Sequence, residues 1–178
     1  TFARTFPRFY IRGLGNNDFY LGASQPVSVI IDEVVMENVV LKSSPLFDVR
    51  QVEVLRGPQG TLFGRNTTAG IIKFDSIAPS EDTEGRASLT YGTYNTMSLD
   101  AGVGGALVPN LLSTRVSVFY QRRDDYVTNT VNGRELGGYE EYAGRVQFLL
   151  TPSEDTSLLL NVHGRDLEAT STLFRGQA

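Results

Sequence analysis

From about residue 86 the chain alternates two residues at a time. Between Thr114 and Tyr120, the residues Thr114, Val116, Val118 and Tyr120 fall on one face, and Arg115, Ser117, Phe119 and Gln121 fall on the other. The same alternation sets Ala87, Leu89 and Tyr91 against Arg86, Ser88 and Thr90, and Met97, Leu99, Ala101 and Val103 against Ser98, Asp100 and Gly102. It sets Tyr142, Val146, Phe148 and Leu150 against Arg145 and Gln147, and Leu158, Leu160 and Val162 against Asn161, His163 and Arg165. A period of two predicts strands with one apolar and one polar face, five in succession, each about 8–11 residues long. The first half, to about Asp75, has no single period. Short strands are predicted at Phe9–Arg12, Val27–Val35, Gln51–Leu55 and Ile71–Phe74, with helical turns at Pro45–Val49 and Pro58–Phe63, the latter helped by Pro at a first helical position. The polar segment Pro79–Gly85 separates the two regimes.

The connections between the five strands are unequal. LVPNL (Leu107–Leu111) and TPSEDT (Thr151–Thr156) are tight, whereas Arg122–Glu141 is long, polar and rich in Gly. A short-turn end and a long-loop end suit an outer-membrane barrel, though a soluble β-sandwich shows the same asymmetry. Tyr91, Tyr120 and Tyr142 lie on the apolar face toward the end opposite the short turns, the arrangement of an interfacial aromatic girdle. Five strands do not close a membrane barrel, and an open sheet with an apolar face aggregates. The sequence opens at Thr1 without Met and stops as abruptly, so it is expected to be part of a longer chain.

Composition narrows the chemistry. The 178 residues carry a net charge of −4 and no Cys, which argues against nucleic-acid binding, a disulfide framework and a thiolate metal site. No apolar run approaches the roughly 18 residues of a membrane helix. The glycine-rich stretch VEVLRGPQGTLFGRNTTAG (Val52–Gly70) invites comparison with a phosphate loop and fails it. Leu62 stands where the second Gly is required, and Arg65 is followed by Asn66. Gly13-Leu14-Gly15 followed by Asn-Asn-Asp is no dinucleotide fingerprint. His163, the single histidine, has no metal-ligand spacing to a partner, and Asp124-Asp125 and Glu140-Glu141 read as solvated acids in or beside the long loop. No catalytic, cofactor or metal constellation is expected, and the chain is not expected to be an enzyme.

The blocks RFYIRGLG (Arg8–Gly15), PVSVIIDEVV (Pro26–Val35) and LFDVRQVEVLRGPQGTLFGRNTTAGIIKF (Leu46–Phe74), followed by a linker and period-two strands, resemble the plug and early barrel of TonB-dependent outer-membrane receptors. The resemblance is specific over residues 8–75 and rests on strand pattern alone over residues 85–170. It implies a mainly β fold with an α+β plug: a plug module at residues 1–78, a linker at 79–85, and antiparallel meander strands of an incomplete transmembrane β-barrel at 86–178. In the family a barrel of about 22 strands surrounds such a plug. On that pattern a TonB box and a first plug strand would precede Thr1, and most barrel strands would follow Ala178. The Thr68-Ala69-Gly70 approach to the last plug strand departs from the family, which often has a second Gly there and an Asn within the strand; Ala69 is small enough to keep the turn.

The resemblance further implies a receptor in the bacterial outer membrane that takes up a scarce nutrient, foremost a ferric siderophore. Its partners would be the lipid bilayer and the TonB–ExbB–ExbD energising complex, without nucleic acid. Alternatives are a glycan-uptake receptor of the same family, a passive porin or adhesin, and a soluble carbohydrate-binding β domain. Gly13, Gly57, Pro58, Gly60, Gly64 and Gly70 would form the plug's turn motif. Arg12 and Arg56, each ahead of a Gly, would lock the plug to glutamates of the barrel wall. Arg115, Arg145, Gln147, Asn161, His163 and Arg165 would face the lumen. Replacing Arg56 by Ala in the full-length receptor should raise the proteolytic sensitivity of the plug; unchanged sensitivity together with unchanged uptake would refute the lock.

Overall fold

In a computed structural model the described residues are 7–16, 24–38 and 41–170. The chain divides into two units, Thr1–Ile77 and Ala78–Ala178. The first is built on a four-stranded sheet of β1 (Val27–Ile31), β2 (Val34–Val35), β3 (Val49–Arg56) and β4 (Gly70–Ser76), in the order β2-β1-β4-β3. The central pair, β1 and β4, is parallel, from Val27 opposite Gly70 to Ile31 opposite Phe74. Parallel strands covered on both faces read as continuous apolar runs, and Val27, Val29, Ile30 and Ile71 are fully buried. Ile11, Val27 and Ala69 form a core cluster against which Phe9 and Ile72 pack.

Three short elements differ from the sequence pattern, each for a local reason. Val27–Val35 is two strands joined at Asp32 and Glu33, whose φ of 47° and 66° make a two-residue turn of the kind that matches strand twist. Asp32 holds that turn because its carboxylate accepts from the Ser76 N–H (2.7 Å) and the Ser76 hydroxyl (2.8 Å). Phe9–Arg12 is not a strand: Ile11 and Leu14 pair across a turn at Arg12 (φ 51°) and Gly13 (φ 79°). The helical turn expected at Pro45–Val49 lies instead at Leu41–Ser43. Pro45 disfavours helical geometry in the residue before it, so the turn ends there.

Among the described residues the one α-helical turn, α1 (Gly60–Phe63), follows Pro58 inside the glycine-rich segment. Gly70 is constrained from two sides. Its φ is +145°, and a Cβ there would stand 2.3 Å from the Leu55 carbonyl oxygen and 2.8 Å from Ile11 Cδ1.

The second unit is a meander of β5 (Glu84–Gly92), β6 (Thr96–Val108), β7 (Leu112–Arg123), β10 (Tyr139–Ser153) and β11 (Thr156–Ala169). Every neighbouring pair is antiparallel, and β5 and β11 are the edges. β5 starts two residues inside the predicted linker, because β6 is long enough to pair Glu84 with Gly104. The long connection is partly structured: β7 runs to Arg123, β10 starts at Tyr139, and a small hairpin of β8 (Val127–Thr128) and β9 (Glu135–Leu136) lies between them. β6, β7, β10 and β11 have 13, 12, 15 and 14 residues, more than the roughly 9–11 that cross a bilayer when tilted.

The glycines therefore differ in kind. Gly70→Ala should destabilise β4 by about 2–4 kcal/mol from backbone strain and overpacking. Gly60→Ala should be neutral or stabilising by about 0.5 kcal/mol, since its Cβ would meet only Thr67 Oγ1 at 3.7 Å. Hydrogen exchange of the β4 amides in the intact protein separates the two outcomes.

Candidate functional site

In the first unit the glycine-rich segment closes on itself. The Gly57 N–H donates to the Ala69 carbonyl (3.0 Å) and the Gln59 N–H to the Thr67 carbonyl (3.2 Å). The Phe63 and Gly64 N–H groups donate to the carbonyls of Gln59 and Gly60, and the Thr67 hydroxyl donates to the Gly64 carbonyl (2.8 Å). The amides of Gly57, Gln59, Phe63 and Gly64 are thus taken up by the loop itself. Arg56 ends β3 opposite Gly70. Arg12 follows Ile11, whose Cδ1 would touch a Cβ at Gly70. Both arginines therefore stand at one end of the sheet, exposed. Gly13, Gly57 and Gly64 have positive φ, while Gly60 is an ordinary helical residue beside Pro58.

Charged groups that the sequence reading did not single out tie this unit together. Arg65 meets Glu37 as a fork, Nε to Oε1 at 2.9 Å and Nη2 to Oε2 at 2.5 Å. That hydrogen bond holds the Glu37 carboxyl below its ordinary range and raises the guanidinium of Arg65. Lys73 Nζ lies 2.6 Å from Glu33 and 3.3 Å from Asp75, and the two carboxylates raise its pKa. Lys42 is buried, donates to the Val27 carbonyl (3.1 Å), and has its pKa lowered by that burial. Apart from Lys73 and Asp75, these partners are far apart in sequence, so spacing gave no signal for them.

In the second unit the two faces of the sheet are inverted relative to a water-soluble domain. Leu89 (66% exposed), Tyr91 (73%), Leu158 (63%), Leu160, Val162, Val103, Val116 and Val118 are open to the surroundings. On the opposite face Arg115 and Gln147 are 2% exposed, and Ser113, Ser117, Glu141 and Arg145 are also buried. Register aligns Arg115, Gln147 and Asn161 in one row and Ser117, Arg145 and His163 in the next, with Arg165 two residues further on beside Ala143. Asn161 and Arg165 are half-buried and His163 is exposed. Arg115 lies against Gly104, where a Cβ would stand 3.2 Å from its Cβ and Cγ.

Two acids expected in solvent have other places. Glu141 is a strand residue, 3% exposed, 2.7 Å from Arg165 Nε. Continuing the alternation of β10 back from Arg145 would have found it, but the polar run hid the strand. Glu140, on the apolar face, accepts from both Tyr120 (2.9 Å) and Tyr142 (2.7 Å), whose rings are 4.8 Å apart. Tyr91 lies two residues further along, in the row of Met97 and Arg122. Asp124 accepts from Asn95 Nδ2 (2.6 Å) and Asp125 from the Gly138 N–H (2.6 Å), so both acids shape the long connection. Arg123 stacks on Tyr126 and Tyr139 there.

Comparison with known proteins fits both halves. The family model for the TonB-dependent receptor plug domain matches residues 1–71. The pesticin receptor of Yersinia pestis is 29% identical over 153 residues, covering 84% of this chain and 22% of that protein. The vitamin B12 transporter BtuB of Vibrio vulnificus is 32% identical over 89 residues, covering 49% of this chain and 14% of its own length. Among solved structures, the ferric yersiniabactin uptake receptor FyuA from Yersinia pestis superposes with a TM-score of 0.85 at 24% identity, over 94% of this chain and 26% of that one, a likeness of fold. Residues 1–71, most of the first unit, match the TonB-dependent receptor plug domain, and the chain resembles such receptors over most of its length. These relatives are receptors and a transporter, not enzymes. The chain spans less than a quarter of the length of these curated relatives.

The Glu37–Arg65 fork has a pH signature. Its folded-state Glu37 pKa lies below the ordinary 4.5, so its contribution is present above 4.5 and is lost as pH falls through the lowered value. Acid-induced loss of protection at the amides of residues 64–69 should include this step, and Arg65→Met should remove it.

Proposed function

We propose that the chain is the plug and first barrel strands of a bacterial outer-membrane receptor that imports a ferric siderophore. The observation that carries this reading is the inverted sheet directly following a plug domain. An apolar face left open, with arginine, glutamate and glutamine sheltered behind it, suits strands whose outer solvent is hydrocarbon. A soluble carbohydrate-binding domain would bury the other face. A passive porin has no use for a plug. The ferric siderophore is favoured over a glycan by what similar proteins take up: the structurally similar ferric yersiniabactin uptake receptor, the ferrioxamine receptor of Yersinia enterocolitica and the catecholate siderophore receptor Fiu of Escherichia coli.

In this reading the TonB–ExbB–ExbD complex pulls the plug from its N-terminal side, and the bilayer surrounds the strands. Arg12 and Arg56 pair with glutamates of the inner wall. Such pairs, partly shielded from water, hold the plug and yield to a pull.

The test is uptake by the full-length receptor in an iron-starved host. Radiolabelled ferric chelates should accumulate only when the energising complex is present, and competition by cobalamin or oligosaccharides should be absent. Uptake without the energising complex would overturn active transport. Competition by cobalamin or glycans with no response to ferric chelates would overturn the ligand class.

A further inference from the structure

The polar stretch that opens the second unit is fastened to the sheet through Glu81. Glu81 lies in the polar stretch before β5, and its carboxylate reaches the turn between β6 and β7. One oxygen accepts from the backbone N–H of Asn110 (3.1 Å) and the other from the hydroxyl of Ser113 (3.3 Å), which is 3% exposed. The Glu81 carbonyl also accepts from the Ala106 N–H (3.3 Å), so one residue is held by main chain and side chain together. Asn110 has φ 56°, and this left-handed step belongs to the tight turn whose amide Glu81 takes. The turn is tied onward, because the Leu111 carbonyl accepts from the Thr151 N–H at 2.8 Å, which joins it to β10. Two residues on, Thr83 packs against Gly105, where a Cβ would stand 2.9 Å from Thr83 Oγ1. The linker therefore meets a fixed point on three strands before the β5 ladder begins at Glu84.

We infer that Glu81 is a positioning residue that acts as a mechanical stop. It anchors the linker on the β6–β7 turn, so a pull on the N-terminal unit loads this clamp and spares the edge strand β5. The geometry favours such a role. β5 is bonded on one side only within this sheet, and a strand pulled from its end opens one ladder bond at a time. A carboxylate bound to a backbone amide and a hydroxyl of a different hairpin loads several bonds at once, and charge-assisted bonds are the stronger kind. The inference rests on the transport reading for its purpose and on the geometry for its existence, and the experiment separates the two.

The full-length receptor is compared with Glu81→Ala and with Glu81→Asp, which keeps the carboxylate. Hydrogen exchange is followed at Ala106, Asn110 and the β5 amides, alongside equilibrium binding of a ferric chelate and the maximal rate of its energised uptake. Glu81→Ala should raise exchange at Asn110 and β5 by about tenfold or more, the change in an opening equilibrium made by losing a hydrogen bond to a charged group. Chelate affinity should stay unchanged while the uptake rate falls, and Glu81→Asp should restore part of both. Unaltered exchange in Glu81→Ala would overturn the clamp. Faster exchange with an unaltered uptake rate would overturn its role as a stop. Absence of energised uptake in the unmutated receptor would instead overturn the transport reading, leaving the exchange result to decide the clamp.

Discussion

The second unit depends on one requirement: every buried or lipid-facing backbone group must be paired within the sheet. Side chains can choose their solvent by alternation, but N–H and C=O groups in hydrocarbon have no partner except another strand. The long antiparallel ladders of β6, β7 and β10 meet this on both sides, which permits Val103, Val116, Val118 and Tyr142 to stand open. In water the same surface would be a large exposed apolar patch, a drive to aggregate. Reversing the faces is no minor change, since an arginine on the lipid face at mid-bilayer costs about 2–4 kcal/mol. The placement of Arg115, Arg145 and Arg165 on the other face follows from that cost.

The first unit solves a different problem. It has few residues with which to build a core, so it concentrates burial in the parallel pair β1 and β4 and makes its connections by tight, positive-φ turns. Asp32, Glu37 and Lys73 then fix those turns through partners on other strands or loops. Ion pairs of this exposed kind contribute little to global stability. They hold local geometry, and they are the kind of contact that opens under load or low pH without unfolding the sheet behind it.

Much of this was legible in the sequence, and the reasons are physical. Period two survives wherever one face of a strand meets a uniform environment, so the five-stranded sheet and its polar residues Arg115, Gln147 and Asn161 could be placed from alternation alone. The blocks around Val52–Gly70 identified the plug because tight turns in a small module leave few residue choices. What was hidden depended on partners distant in sequence. The turn at Asp32 and Glu33 lacks Gly or Asn and is held by Ser76, some 44 positions away. Glu141 sat in a run of polar residues that masked the start of β10, and Glu81 looked like linker because its partners belong to another hairpin. The arginine at position 12 read as a strand end and is half of a two-residue turn.

The central claim is that the apolar face of the sheet meets lipid. Single cysteines introduced in turn at residues 115–118 and 145–148 of a cysteine-free full-length receptor, spin-labelled and reconstituted in bilayers, test it by collision with oxygen and with a water-soluble nickel chelate. The account predicts a period-two pattern, with oxygen favoured at 116, 118, 146 and 148 and reduced at 115, 117, 145 and 147. Equal oxygen accessibility at both sets, or chelate preference at 116 and 118, would contradict it.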